Sequence, residues 1–172
     1  LEILTPSGTL VTPTFTFAHE ADDNPVIDPA VDRSEMEILT ETVRQHPQAR
    51  RSTAFRHSFA AIGRRATVIT DIDTSLSAFD LRSSFGVMLA LNTQVLLMGV
   101  TYSSSTSHHF AEFISDVPYR QTLPLTVRVR ASDGMIHELP MTDYQPKSEG
   151  RTSIDWGKYW KIVDQLKPPS SV

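Results

Sequence analysis

Two residues of the segment 106–112 have the types and the spacing of an acid–base pair. His109 and Glu112 stand at positions i and i+3 of the run Thr106-Ser-His-His-Phe-Ala-Glu112. On a helix this spacing puts both side chains on one face, where a carboxylate can orient an imidazole ring. An unperturbed imidazole titrates at about pH 6.5 and can accept a proton from an ammonium or a hydroxyl group. The pair is a candidate general base with its orienting partner; the alternative, which spacing alone favours, is a core histidine beside a solvated glutamate.

Other chemistries have weaker support in the sequence. His108 would point roughly 100° away from His109 around a helix, and no His-x-x-x-His pair or third ligand completes a metal site. The chain has no cysteine, which excludes disulfides, thiolate metal sites and cysteine nucleophiles. No Gly-x-Ser-x-Gly elbow, phosphate loop or Gly-x-Gly-x-x-Gly motif occurs, which disfavours serine hydrolases, ATP and dinucleotides. We therefore expect no metal ion in the site.

A group of arginines is the best candidate for holding phosphate groups. It comprises Arg50, Arg51, Arg56, Arg64 and Arg65. Guanidinium groups bind phosphate through paired hydrogen bonds, so this segment could hold a phosphate-rich cofactor such as coenzyme A. A solvated basic face is an equally good interpretation.

Charge and composition limit the class of partner. The chain has 172 residues, a formal net charge of -4 and a pI of about 5.8. An acidic protein of this kind is not expected to bind nucleic acid, whereas a cationic partner is electrostatically favoured. No apolar stretch approaches the roughly 20 residues that span a bilayer, and no signal peptide is evident, so we expect a cytoplasmic protein with no membrane partner. The start at Leu1, followed at once by a strand-like run, is typical of a fragment of a longer protein.

A strand and a helix are needed to position the candidate pair. The apolar run Val95–Val100 has no polar alternation, which predicts a buried strand. The Ser/Thr cluster 101–107 supplies N-caps for a helix that begins near Thr106, and Pro118 ends it. This strand would therefore lead into the N-terminus of the helix that carries the pair.

The first half of the chain predicts two more strands and two more helices. Strands are indicated in residues 8–17, ending near Pro13, and in residues 52–63. The capping-box pattern Ser34-x-x-Glu37 predicts a helix that runs to about residue 46, and residues 84–91 predict a short one.

The second half of the chain predicts a hairpin and a final helix. Alternating residues on both sides of Asp133-Gly134 predict strands over 123–131 and 135–144. Ser153 is expected to cap a last helix, in which Trp156 and Trp160 are core or partner-facing side chains more readily than a sugar-stacking wall. We expect an α/β protein, a three-layer α/β/α arrangement with a mixed central sheet plus a C-terminal β-hairpin and helix.

Short segments in a fixed order carry a family resemblance. They are Gly8–Thr16, Leu39–Arg44 with Arg51-Ser52, Ser58–Gly63, Ser83–Gly86, Val95–Val100, Thr106–Glu112 and Val117–Arg120. Each segment is short, but in this order and spacing they resemble the aminoglycoside 3-N-acetyltransferase family, including its relatives that act on amino sugars in polysaccharide synthesis. The resemblance covers most of residues 8–120.

The resemblance implies a reaction and a role for named residues. It implies transfer of acetyl from acetyl-coenzyme A to an amine of a cationic amino sugar, with His109 as the base and Glu112 beside it. It implies that Arg51, Ser52 and Ser58 help to hold coenzyme A, with Thr14 or Thr16 near the pantetheine. No metal is implied, and a homo-oligomer is compatible with the sequence.

The chain also departs from the family pattern. Ala54-Phe55 stand where the family usually has His-Pro, and Met36-Glu37 replace a Met-Gly that many members carry. The loop before the histidine motif has Tyr102–Ser105 in place of an acid, and the family's N-terminal region and part of its C-terminal extension have no counterpart. We expect residues 1–172 to form a single acetyltransferase-like domain. The alternative function is a catalytically impaired module that binds coenzyme A.

Overall fold

The computed structural model describes residues 5–21, 24–100, 105–147 and 156–166 and has a mixed α/β fold. Its strands are β1 (Thr9–Pro13), β2 (Val26–Ile27), β3 (Arg50–Arg51), β4 (Phe59–Gly63), β5 (Arg120–Arg130) and β6 (Ile136–Pro146). Its α-helices are α1 (Glu37–Arg44), α2 (Ala66–Thr70), α3 (Ser84–Ala90), α4 (Ser107–Ile114) and α5 (Trp156–Leu166). A 3-10 turn covers Ala18–Ala21. None of the helices in these ranges is long and apolar enough to cross a bilayer.

The described strands form two three-stranded sheets rather than the single mixed central sheet that the sequence predicts. In the first sheet, β4 lies between β1 and β3 and is antiparallel to both. In the second, β5 lies between a parallel β2 and an antiparallel β6. The long hairpin pairs with itself over its full length, from Arg120 opposite Pro146 to Arg130 opposite Ile136. Because these contacts are local in sequence, the hairpin forms the main part of its own sheet, to which β2 adds two residues and Ser77 a single bridge at Thr142.

A cluster of aromatic side chains packs between these elements. Its buried members are Phe15, Phe59, Phe79, Phe85, Phe110 and Tyr144. The rings meet mostly edge to face, as in the contact of Phe59 with Phe85 at 4.9 Å between ring centroids, a geometry that the quadrupoles of aromatic rings favour. This cluster joins β1 and β4 of the first sheet to β6 of the second and to the helices α3 and α4.

The strand predicted over Val95–Val100 is wrong. These residues are irregular, and Leu96, Met98 and Val100 expose 80%, 63% and 54% of their surface. An apolar run marks the capacity to form a buried strand, but a strand also needs a neighbour to pair its backbone N–H and C=O groups. None of the described strands pairs with this segment. The helix that follows is confirmed, because α4 begins at Ser107.

The capping box predicted at Ser34 is also wrong. The Ser34 hydroxyl lies 2.8 Å from the Thr40 hydroxyl and accepts the Met36 N–H, and the helix begins at Glu37 without a side-chain cap. Glu37 has φ of 74°, a left-handed conformation that favours glycine. The backbone reversal at Glu37 therefore prevents a helix from starting at Ser34.

The other local predictions have mixed outcomes. The strand ending at Pro13, the helix over 84–90 and the hairpin around Gly134 are confirmed. In the last helix, Tyr159 and Val163 are buried against Ala111 of α4, whereas Trp160 is half exposed. The predicted cap Ser153 and the loop 102–104 lie outside the described residues.

Candidate active site

Helix α4 is anchored by one face and presents the candidate acid–base pair beside it. Phe110 and Ala111 are fully buried, and the Phe110 ring stacks on Phe85 with centroids 5.8 Å apart. His109 and Glu112 flank this buried face. The His109 side chain is 36% exposed, whereas the Glu112 side chain is 12% exposed. The pair therefore lies where the core meets solvent, so that a ligand can reach the imidazole while the carboxylate stays largely dry.

A short hydrogen bond joins the two residues. His109 Nδ1 lies 2.7 Å from Glu112 Oε2. An ionised carboxylate can only accept, so Nδ1 is the donor and, in the neutral ring, Nε2 keeps the lone pair. Within the described ranges no protein group hydrogen-bonds to Nε2. The structure thus brings the predicted pair together and leaves one imidazole nitrogen able to accept a proton.

Two residues just beyond α4 complete the surroundings of the carboxylate. The Tyr119 hydroxyl donates to Glu112 Oε1 at 2.7 Å, and Arg120 Nε lies 2.6 Å from Glu112 Oε2. The Arg120 contact is an ion pair without the alignment of a hydrogen bond. The Arg120 guanidinium also lies over the Tyr144 ring, 5.3 Å from its centroid. Asp116, with φ of 51°, reverses the chain after the helix and returns Tyr119 and Arg120 to Glu112.

These contacts hold Glu112 in its ionised form. Burial raises the pKa of the Glu112 carboxyl, but hydrogen bonds from His109 and Tyr119 and the charge of Arg120 lower it by more, so the pKa lies below its ordinary value. Burial and the carboxylate of Glu112 raise the pKa of the Tyr119 hydroxyl, which therefore stays protonated as a donor. The site has a fixed negative charge that can stabilise a protonated His109.

The neighbouring histidine faces a different element. His108 Nδ1 lies 2.7 Å from the Tyr159 hydroxyl of α5, and the two rings stack at 6.2 Å between centroids. Because His108 and His109 are adjacent on α4, one meets the last helix while the other meets the carboxylate. This geometry distinguishes His109 from His108 as the candidate base.

A third histidine lies close to the site. The His57 ring packs against Phe15 and Phe79, each with centroids 4.9 Å apart, and Phe79 in turn meets the His109 ring at 5.8 Å. Burial, followed by the charges of His109, Arg56 and Arg120, lowers the pKa of His57 to about 3. His57 is therefore a neutral imidazole at physiological pH.

The residues predicted to hold coenzyme A form one buried hydrogen-bonded cluster around Arg51. Arg51 Nε donates to Ser58 Oγ at 3.2 Å, and Nη2 donates to the Thr14 carbonyl at 2.7 Å and to Thr16 Oγ1 at 2.9 Å. Nη1 donates to the Asp32 carbonyl at 2.5 Å and to the Pro29 carbonyl at 3.3 Å. Every nitrogen of this guanidinium is thus bonded within the protein.

The other predicted members of this cluster are also internally bonded. Thr14, Ser52 and Ser58 are almost fully buried. The Ser58 hydroxyl donates to the Thr14 carbonyl at 2.8 Å, and the Ser52 hydroxyl accepts the Phe59 N–H at 2.9 Å. Burial lowers the pKa of Arg51 to about 10, which still leaves it cationic at neutral pH. The structure brings the five predicted residues together, but their polar side-chain atoms are bonded to protein groups, Ser52 to the backbone of Phe59 and the others mainly within the cluster.

The predicted arginine cluster is dispersed in the structure. Arg56 forms an ion pair with Asp143 at 3.2 Å and lies over the Phe55 ring, whereas Arg50, Arg64 and Arg65 are exposed. Arg51 alone belongs to the buried cluster. The four others therefore do not converge with Arg51 on one phosphate-sized site.

Two recesses flank the Ala54-Phe55 segment. The larger is lined by residues that include His57, Phe79, Tyr144, Asp73 and Asp143. The smaller is lined by residues that include Thr16, His19, Arg51, Ser52 and Ser58. Ala54 and Phe55 line both recesses, so this segment lies between them. Among the described residues, no cluster of histidine and acidic side chains has the composition of a metal site.

A sequence profile of the aminoglycoside 3-N-acetyltransferase family matches residues 1–166. The chain belongs to this family. Aminoglycoside N(3)-acetyltransferase IV of Salmonella sp is 31% identical over 116 residues, which cover 67% of this chain and 43% of that relative. This family member therefore spans less than half the length of the Salmonella relative.

Solved structures of the family have the same fold. The structure of AAC-IIIb with CoASH matches with a TM-score of 0.71 and 20% identity, over 95% of this chain and 67% of that chain. A mutant of AAC(3)-IVa in complex with a gentamicin matches with a TM-score of 0.57 and 28% identity, over 83% of this chain and 53% of that chain. The mixed α/β class predicted from the sequence is thus confirmed.

Sequence reasoning about this family member found the pair but missed its neighbours. The spacing makes His109 and Glu112 a candidate pair, the family resemblance selects them, and the structure joins their side chains by a hydrogen bond. Tyr119 and Arg120 belong to a motif that supported the resemblance, yet nothing in the motif assigns them to Glu112. His57 was also missed. The one sequence feature that could have indicated it is its position directly before Ser58, in a segment rich in small and aromatic residues. Only the fold shows that it approaches α4.

Proposed function

We propose that this chain is the histidine-bearing part of an acetyl-coenzyme A dependent N-acetyltransferase that acetylates an amino group of an aminoglycoside or another amino sugar. The observation that carries the proposal is the carboxylate-oriented His109, with Nε2 unbonded in the described structure, in a member of the aminoglycoside 3-N-acetyltransferase family. An alkylammonium group must lose a proton before its nitrogen can attack a thioester. His109 Nε2 is the group that we assign to take this proton.

The reaction is written as an acyl transfer. The amine nitrogen attacks the carbonyl carbon of acetyl-coenzyme A, the new C–N bond forms, and the C–S bond breaks to release coenzyme A. His109 accepts the ammonium proton before the attack and releases it to solvent; it then accepts the second proton, which leaves the nitrogen as the amide forms, and passes it to the departing sulfur. The Glu112 carboxylate holds the imidazole by Nδ1 and stabilises the imidazolium, and Tyr119 and Arg120 hold Glu112 in place.

The charge of the larger recess suits a cationic acceptor. Asp73 is exposed at its rim, and hydrogen bonds from Ser75 hold the pKa of the Asp73 carboxyl below its ordinary value. Asp143 lies in the same wall, paired with Arg56. The net charge of -4 also favours approach of a polycation. We assign the amino sugar to this recess because of these carboxylates; one structural relative, AAC(3)-IVa, has been solved in complex with a gentamicin.

We assign coenzyme A to the side of the smaller recess. Thr16, Arg51, Ser52 and Ser58 line it, and Thr14 lies behind them. Because the polar side-chain atoms of these residues bond to other protein groups, the role that we propose for them is to hold the recess wall and to place one positive charge there. AAC-IIIb, which has the same fold, has been solved with CoASH.

The test compares adjacent histidines on one helix. Purified protein is incubated with acetyl-coenzyme A and a panel of aminoglycosides and simple amino sugars, with neutral sugars as blanks, and free thiol is followed together with the mass of the product. We expect His109→Gln to lower kcat by about 10²- to 10⁴-fold, while the matched control His108→Gln keeps its activity. Thermal unfolding of both variants checks their folding.

Three other outcomes contradict the proposal. Equal activity of wild type and His109→Gln would remove His109 from the mechanism. If calorimetry detects no binding of acetyl-coenzyme A, the assignment of this co-substrate is contradicted. Binding of acetyl-coenzyme A without turnover of any acceptor would favour the alternative, a module that binds coenzyme A without catalysis.

A further inference from the structure

His57 is a polar side chain in an aromatic cage. Its ring meets Phe15 and Phe79 at 4.9 Å and Phe17 at 6.2 Å between centroids, edge-on or tilted in each case. In the part of the chain that the structure describes, neither ring nitrogen of His57 has a hydrogen-bond partner. The side chain is only partly buried, and its ring nitrogens are not among the buried atoms without a partner, so water or a ligand in the recess can bond to them.

One ring of this aromatic cage, Phe79, connects His57 to the proposed base, His109. Phe79 contacts the rings of both His57 and His109, and Tyr144 contacts Phe79 at 5.6 Å. His57, Phe79 and Tyr144 all line the larger recess. An acetyl group that extends from the coenzyme A side past Ala54 and Phe55, which line both recesses, could therefore reach His57, while the acceptor amine in the larger recess approaches His109 beside Phe79.

The ring stays neutral under the conditions of the reaction. Burial and the nearby cations lower the pKa of His57 to about 3. A neutral imidazole has one N–H donor, and this donor does not give up its proton to a weak base near pH 7. It can polarise a carbonyl through a hydrogen bond without transferring a proton, a task that preorganised donors perform in acyl transfer.

We propose that His57 donates a hydrogen bond to the carbonyl oxygen of the acetyl thioester. This inference rests on the acetyltransferase function proposed above. As the amine nitrogen attacks, the electron pair of the C=O π bond moves to the oxygen, and the His57 N–H stabilises that negative charge. When the C–S bond breaks, the C=O bond re-forms and the electron pair of the C–S bond leaves with sulfur. The His57 proton stays on the ring throughout.

The test observes the carbonyl group before any transfer occurs. Acetyl-coenzyme A labelled with carbon-13 at the acetyl carbonyl is bound to the full chain without an acceptor, and the C=O stretching frequency is measured by difference infrared spectroscopy. A donor to the carbonyl oxygen lowers this frequency relative to free acetyl-coenzyme A. We expect the lowering in wild type and in His109→Gln, and its loss in His57→Phe.

Three substitutions make the test specific. Phenylalanine at position 57 keeps an aromatic ring among Phe15 and Phe79 but removes the donor, so the fold is expected to persist, and thermal unfolding checks it. His57→Gln offers an amide N–H and is expected to restore part of the frequency shift. With an active acceptor, His57→Phe should lower kcat by about 10²- to 10³-fold with little change in KM for acetyl-coenzyme A.

The outcomes separate this inference from the proposed function. If labelled acetyl-coenzyme A binds and its carbonyl frequency is the same in wild type and His57→Phe, the role of His57 is overturned while the acetyltransferase function stands. If wild type does not bind acetyl-coenzyme A at all, the proposed function fails and this inference fails with it. A folded His57→Phe variant with wild-type kcat would also overturn the role of His57.

Discussion

Glu112 and Arg51 each lie in a dense cluster of polar side chains. The two clusters differ in whether a hydrogen-bonding atom is left without a protein partner among the described residues. Glu112 accepts from His109 and Tyr119 and pairs with Arg120, and this arrangement ends on an imidazole whose Nε2 is unbonded in the described structure. Arg51 donates from every nitrogen to protein acceptors. Proximity of polar residues is thus a poor guide to chemistry. The hydrogen-bonding capacity that remains decides whether a cluster can act on a ligand.

The two clusters also differ in what their charges do. The carboxylate of Glu112 is kept ionised and lies against a residue that can change its protonation state. The Arg51 charge is fixed, and its partners are mainly backbone carbonyls of residues far apart in the sequence. We therefore regard the first cluster as reactive and the second as a structural link between β3, the segment that follows β1 and the loop before α1.

The largest expected effect breaks the reactive cluster at its carboxylate. Glu112→Gln keeps the size of the side chain but allows its amide nitrogen to donate to His109 Nδ1, which favours the ring form that has its proton on Nε2. The base then lacks its lone pair where the acceptor amine binds. We expect kcat to fall by about 10²- to 10⁴-fold, with a smaller change in KM, in the thiol-release assay.

A double variant checks that the two residues act as a unit. The loss in Glu112→Gln combined with His109→Gln should be close to the loss in either single variant, since both remove one function. Losses that multiply would show that Glu112 acts independently of His109. An unchanged kcat in Glu112→Gln would contradict the division between a reactive and a structural cluster.

Only some members of the reactive cluster around Glu112 could be predicted from the sequence, and the reason is physical. The i, i+3 spacing fixes the relation of His109 to Glu112, since a helix has one geometry. Tyr119 and Arg120 reach Glu112 through a chain reversal at Asp116, and His57 reaches α4 across the aromatic cluster. Contacts of that kind depend on tertiary packing, which no local pattern encodes.

The same limit explains the errors in the fold. The hairpin around Gly134 was predictable because its turn and its alternation are local. The run Val95–Val100 has the composition of a buried strand, yet the described residues provide no pairing partner. The sequence predicts four of the six described strands and misses the two-residue strands β2 and β3, because such short strands form only against a partner, and pairing is a long-range property.

The next effect concerns the structural cluster. Arg51→Met keeps the length of the side chain but removes the donors, which leaves the carbonyls of Thr14 and Asp32 without this partner in a region that is partly buried. We expect the free energy of unfolding to fall by about 2–4 kcal/mol, measured by urea denaturation. Arg50→Met, at an exposed neighbouring position, is the matched control and should change it by less than about 0.5 kcal/mol.

Binding of coenzyme A sharpens this second prediction. If Arg51 supports the recess wall, folded Arg51→Met protein at low temperature should keep its Kd for coenzyme A within about 3-fold, which is less than about 1 kcal/mol. Direct contact with a phosphate would give the opposite pattern, a loss of affinity of at least about 10-fold with the free energy of unfolding preserved. That pattern would place Arg51 in the cofactor site and would contradict the conclusion that its cluster is structural whereas the cluster around Glu112 is reactive.

The smallest effect tests a strained position in the framework that adjoins the structural cluster. Glu37 has φ of 74°, and its side chain is exposed. A left-handed backbone costs a residue with a Cβ atom roughly 1–2 kcal/mol, whereas glycine adopts it freely but adds about 0.5–1 kcal/mol of chain entropy to the unfolded state. We expect Glu37→Gly to raise the free energy of unfolding by about 0.5–1 kcal/mol.

A second substitution separates backbone strain from side-chain loss. Glu37→Ala removes the same carboxylate but keeps the Cβ atom, so it should leave the free energy of unfolding within about 0.5 kcal/mol of wild type. Both variants should keep the kcat of wild type, because Glu37 lies in the framework and not beside Glu112. If Glu37→Ala stabilises the protein as much as Glu37→Gly does, the gain comes from removal of the charge rather than from relief of the left-handed backbone at the start of α1.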